Sequence, residues 1–148
     1  MNRLFSQFQP EHYDIQWDLR QVKDERLIRG TAIISGRHLT PEPICLHAKD
    51  LQIERAAVNG KNIKVSTDGD VLTLDSRDDG LVRISIEFSL SLTDAMHGIY
   101  PCYYEYPGEK RELYATQFES HHAREAFPCI DEPEAKATFA ISILSDEP

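Results

Sequence analysis

A chain of 148 residues is long enough for one domain that buries a core without metal or disulfide staples. With 41% apolar and 28% charged residues, its composition is that of a globular protein and excludes a disordered one. A net charge of −9 with no long basic run excludes phosphate-tracking surfaces, so neither nucleic acid nor a membrane is an expected partner.

The opening MNRLFSQFQPEHYD has no apolar stretch long enough for a signal peptide, and no later run could span a bilayer, so a soluble, cytoplasmic protein is expected. The first strand is predicted in HYDIQWDLR. There Tyr13, Ile15, Trp17 and Leu19 alternate with polar residues, the period of a sheet with one buried face. LIRGTAIISG continues the pattern with Ile28, Ala32 and Ile34, and Gly30 is expected at a bend or bulge. Shorter strands are predicted at PICLHA, LQIERAAV and DVLTLD, followed by LVRISIEFSLSL, whose Val82, Ile84, Ile86, Phe88, Leu90 and Leu92 share a face. IYPCYYEY and RELYATQF come next. A brief helix is predicted around SHHAREAF, stopped by Pro128, and TFAISILS alternates again through Phe139, Ile141 and Ile143. Hairpin turns are predicted at Asn59-Gly60, Asp68-Gly69, Asp79-Gly80 and Pro107-Gly108. These elements describe one all-β domain, an antiparallel sandwich or strongly twisted sheet. Cys45, Cys102 and Cys129 are odd in number, widely spaced and without a CxxC, which points to buried free thiols in a reducing compartment.

The densest chemistry lies in TQFESHHAREAFPCIDEPEAKATF, residues 116–139. Strand alternation turns Tyr114, Thr116 and Phe118 one way, and Ala115, Gln117 and Glu119 the other. An amide and a carboxylate held side by side could bind an ammonium group; the alternative is a polar, solvated strand end. Adjacent His121 and His122 should diverge, and His12, His38, His47 and His97 complete no ligand spacing, so surface or partly packed histidines are expected. Asp131, Glu132 and Glu134 could form an acid–base pair or an acidic turn partnered by Arg124. Cys129 has no recognisable base beside it. Tyr100, Tyr103, Tyr104 and Tyr106 could stack on sugars or bases, or pack across a hairpin.

The same segment resembles the signature TQFE…AR.AFPC.DEP..KA.F of the M1 family of zinc aminopeptidases. Upstream, PEHYDIQWDL, LHAKDLQIERAAVNG and LTDAMHGIY resemble further family segments, in family order, from Pro10 to Phe139. The resemblance implies the N-terminal domain of such an enzyme, a saddle-like, mostly antiparallel β-structure. It implies a partner catalytic domain carrying a GAMEN motif and an HExxH zinc site with a distant third glutamate, where a zinc-activated water attacks the first peptide carbonyl. None of those motifs occurs in these residues, so zinc belongs to the parent enzyme and no metal or catalytic residue is expected here. By resemblance, Glu119 holds the free α-ammonium of the peptide substrate N-terminus and Gln117 lines the pocket for its first side chain, while AFPC and DEP support the turn. Ser120, His121 and His122 stand where proline, threonine and aspartate are frequent, Glu125 where a second arginine is, and Ile130 where phenylalanine is common. Pro101-Cys102 replaces a usual basic–serine pair. Two other readings compete: a non-catalytic scaffold of the same architecture, and a stand-alone β-sandwich module binding through its tyrosine hairpin.

Overall fold

The computed structural model describes residues 3–146. Strands follow the period-two pattern. β1 (Phe8–Asp18) buries Tyr13, Ile15 and Trp17, and β2 (Leu27–His38) buries Ile28, Ala32 and Ile34. After β3 (Ile44–His47), β4 (Gln52–Val58), β5 (Lys61–Asn62), β6 (Val65–Asp68) and β7 (Val71–Leu74) comes β8 (Gly80–Ser91), inward-facing at every second residue from Val82 to Leu90. A six-stranded sheet runs β11-β1-β2-β8-β4-β5, where β11 is Thr138–Leu144, and a three-stranded sheet runs β3-β7-β6. Ile44, Leu46, Leu72 and Leu74 of the smaller sheet join the inner face of the larger one in a single core. The domain is therefore an all-β sandwich, mostly antiparallel as expected. One pairing departs from that: β11 lies parallel to β1, with Ile15 opposite Ile141. Phe139, Ile141 and Ile143 of β11 remain exposed.

Three expectations need correction. Gly30 is at no bulge, because the β2–β8 register runs unbroken through Gly30 and Phe88; the irregularities fall at Pro10/His12 and Ile53/Arg55. Asp79-Gly80 is no hairpin either, since β7 and β8 lie in different sheets and this turn carries the chain between them. The other three turns do close hairpins, β4–β5, β6–β7 and the ribbon described below. The helix foreseen at SHHAREAF reduces to a 3-10 turn, Ala123–Glu125. Short turns that alternation did not reveal occur at Leu4–Ser6 (3-10) and at α1 (Val22–Glu25).

Candidate functional site

The site grows from a two-stranded ribbon, β9 (Gly98–Tyr106) and β10 (Glu109–Gln117), closed by Pro107-Gly108. Its register brings Gly98 opposite Gln117 at the base. There the chain leaves the ribbon, and Phe118 anchors it by meeting Phe127 edge-on at a centroid distance of 5.9 Å. Gln117 is the last strand residue, and Glu119 lies two positions on, in a turn. Both are exposed, and neither side chain has a hydrogen bond or ion pair among the described residues. An exposed carboxylate with no internal partner keeps all its acceptor capacity for a ligand.

The next residues fold back tightly. His122 N–H donates to the Phe118 carbonyl at 2.8 Å, and the Ala126 and Phe127 amides both donate to the Ala123 carbonyl. Pro128, with no N–H, cannot prolong this turn. It presents Glu125 inward, 9% exposed, where its Oε2 meets Nδ1 of His97 at 2.7 Å and Nδ1 of His122 at 2.8 Å. The two imidazoles stack at 4.3 Å and 20°. His121 does not diverge from His122 as expected; their rings lie 5.0 Å apart at 27°, because the turn is tighter than a helix. One donor atom each from His97, His122 and Glu125 lies within 4.8 Å of the others, so the expectation that His97 joins no cluster is overturned. The hairpin arithmetic could have shown this. Pairing Tyr106 with Glu109 extrapolates to His97 beside Phe118, whose carbonyl holds His122.

The following AFPC and DEP residues are structural. Cys129 exchanges backbone hydrogen bonds with His47 at 2.7 and 3.0 Å, Ile130 N–H donates to the Tyr13 hydroxyl, and Trp17 Nε1–H donates to the Ala126 carbonyl. The acid–base pair considered for the acidic turn is not built. Asp131 Oδ2 takes Arg124 Nε at 3.0 Å, Glu132 accepts the Leu4 and Phe5 amides, and Glu134 pairs with Arg3. Its bond to Asp131 is the internal role expected of Arg124, which also reaches Asp70 at 3.3 Å. Burial pushes the Cys129 thiol well above its ordinary range, which suits a packing residue and not a nucleophile. Burial likewise raises the Tyr13 hydroxyl. His47 accepts the Asp131 amide on Nδ1, and burial, reinforced by the nearby Arg124 cation, lowers its pKa.

The ribbon tyrosines do not pair with one another. Tyr103 faces Glu112, Tyr104 faces Arg111 and Tyr106 faces Glu109. Arg111 instead lies over the Tyr106 ring at 4.2 Å. Arg26 Nη1 and the Tyr114 hydroxyl both donate to Glu112 Oε1 at 2.5 Å, which fastens the ribbon to the turn before β2.

The sandwich thus carries a ribbon that delivers Gln117 and Glu119 to solvent. The family described as Peptidase M1 N-terminal domain matches residues 9–148. The chain belongs to that family. The M1 domain is 40% identical to aminopeptidase N of Lactobacillus delbrueckii subsp. lactis over 99% of its length, and 42% identical to that of Lactococcus lactis subsp. lactis over 97%. It is 31% identical to aminopeptidase M1-C of Oryza sativa subsp. japonica over 90%. It spans only 17% of the length of the two bacterial relatives. The zinc that the family resemblance implies is carried by an HExxH pair and a distant glutamate. These 148 residues contain no HExxH, and the His97–His122–Glu125 group has a different spacing, so it does not fit that centre.

Proposed function

We propose that this M1 domain grips the free N-terminus of a peptide on behalf of an aminopeptidase whose bond-breaking machinery lies in the remainder of a longer chain. The observation carrying this reading is Glu119, an exposed carboxylate with no partner among the described residues, set two residues past Gln117 on a turn closed by the His122–Phe118 hydrogen bond. Glu119 accepts hydrogen bonds from the α-ammonium, offsetting the cost of desolvating it, and Gln117 walls the space for the first side chain. Fixing the ammonium sets the register of the peptide, so that cleavage follows the first residue. The relatives support this reading, since they are named as aminopeptidases and extend far beyond the matched region. Exposed Phe139, Ile141 and Ile143 offer apolar surface to the adjoining domain. Three unpaired cysteines suit a cytoplasmic setting.

The test is Glu119→Gln in the full-length protein that carries this domain. Loss of a charge-assisted hydrogen bond should lower kcat/KM for substrates with a free N-terminus by roughly 10–100-fold. Unchanged kcat/KM in a folded variant would reject the role of Glu119.

A further inference from the structure

We propose that His97, His122 and Glu125 form a binding site for a divalent first-row transition ion of zinc character. Both imidazoles aim Nδ1 at one carboxylate oxygen, at 2.7 and 2.8 Å. Stacking of the rings at 4.3 Å holds the two nitrogens on the same side of that oxygen. The three donor atoms already fall within 4.8 Å of one another. Ligands about 2.0–2.2 Å from a tetrahedral ion lie roughly 3.3–3.5 Å apart, so an ion enters if the carboxylate withdraws from the two nitrogens by roughly 0.5–0.8 Å. Each ring then carries its proton on Nε2 and offers the Nδ1 lone pair. Nitrogen donors with a single carboxylate select zinc-like ions over magnesium or calcium, which take oxygen ligands.

Burial and access also fit. The Glu125 side chain is 9% exposed, whereas those of His97 and His122 are 35% and 25% exposed, so the anion is withdrawn while the imidazole side stays open to an ion and to water ligands. Lys49 stands 3.9 Å from Oε1, the oxygen that neither histidine uses, and leaves Oε2 to the ion. Gly98 is what allows the approach, because a Cβ there would lie 3.0 Å from the Glu125 Cβ. The ion would join the segment before β9 to the turn after β10. The proposal does not depend on Glu119 touching a substrate, and its test reads metal binding alone.

The experiment is titration of the metal-stripped 148-residue chain with Co²⁺, followed by displacement with Zn²⁺. The expected result is a set of visible ligand-field bands that saturate at one ion per chain and vanish when Zn²⁺ is added. Thermal unfolding should shift upward with Zn²⁺, because the ion binds the folded chain selectively. His97→Ala and His122→Ala should each weaken the ion by more than the ~10–100-fold that loss of an outer hydrogen-bond partner costs. His12→Ala, which removes a half-buried histidine bonded to Thr138 and remote from this cluster in sequence, should leave binding unchanged. Glu125→Gln is a harsher variant, and should it fail to fold, the half-exposed His97 position decides. Three outcomes would overturn the site: no bands and no thermal shift with the wild-type chain, full affinity in His97→Ala, or binding abolished by His121→Ala but not by His97→Ala. The last would place the ion on surface histidines.

Discussion

Gly98 and Glu125 meet at the base of the ribbon, with Gly98 at φ 71° and its missing Cβ replaced by the glutamate's approach. The contact joins the start of β9 to the turn that follows Glu119, so the two ends of the ribbon are held as a unit. Gly98→Ala must strain a left-handed backbone and push on Glu125 at 3.0 Å. The variant should lose about 1–2 kcal/mol, a drop in Tm of roughly 2–8 °C for a domain of this size. A thermal melt indistinguishable from wild type would show that the turn gives way freely.

Gly30 is needed for a different reason. It lies opposite Phe88, whose ring Cζ would come within 2.3 Å of a Cβ at this position, while Trp17 faces it from the other neighbouring strand. Gly30→Ala overpacks the centre of the larger sheet and should cost about 1–3 kcal/mol in denaturant unfolding. A smaller ring site relieves the clash. Phe88→Leu combined with Gly30→Ala should therefore cost less than the sum of the two single changes; simple additivity would show that the ring is not the obstacle.

Strand existence was legible because Val82, Ile84, Ile86 and Phe88, like Tyr13, Ile15 and Trp17, alternate against a one-sided core. Sheet membership was not. Asp79-Gly80 has turn chemistry, but whether a turn closes a hairpin or passes between sheets depends on which strands later pair, a non-local matter. The parallel docking of β11 beside β1 is equally non-local. At the site, Gln117 and Glu119 stood out as a spaced pair, although the strand ends at Gln117 and a turn carries Glu119. The grouping of His97 with His122 and Glu125 is not legible in their spacing, because they lie 25 and 28 positions away and only the fold of the ribbon joins them.

Arg26 and Glu112 tether the ribbon away from its base. Burial works against ionising Glu112, but hydrogen bonds from Tyr114 and Arg26 outweigh it and hold the carboxyl below its ordinary 4.5. A folded pKa below the unfolded one gives stability that is present above about pH 4.5 and is lost as pH falls through the folded value. Glu112→Gln should therefore loosen the ribbon at neutral pH by about 1–2 kcal/mol and flatten the acid dependence of its opening. Amide hydrogen exchange over residues 98–117 is the measurement. Equal protection in wild type and variant would show that the ribbon is held from its base alone.

His47 gives the fold a pH dependence of its own in a higher range. Its backbone is bridged to Cys129, its Nδ1 accepts the Asp131 amide, and its Nε2 lies 3.9 Å from Glu132. Protonation at Nδ1 would break the bond to Asp131 and bring a second cation close to Arg124. Burial first and Arg124 second thus hold the pKa below its ordinary 6.5. Because the unfolded chain then binds more protons than the folded one, stability is complete above about pH 6.5 and falls as pH drops toward the folded value. His47→Asn keeps an acceptor for the Asp131 amide and removes the titration. The other five histidines remain in both proteins, so the difference between wild type and variant isolates this one. Urea midpoints measured from pH 8 to pH 5 should fall more steeply in wild type than in His47→Asn. Parallel curves would mean that the 129–131 segment tolerates a charged imidazole beside it, and that its hold on the turn at Ala123–Glu125 does not depend on the His47–Asp131 bond.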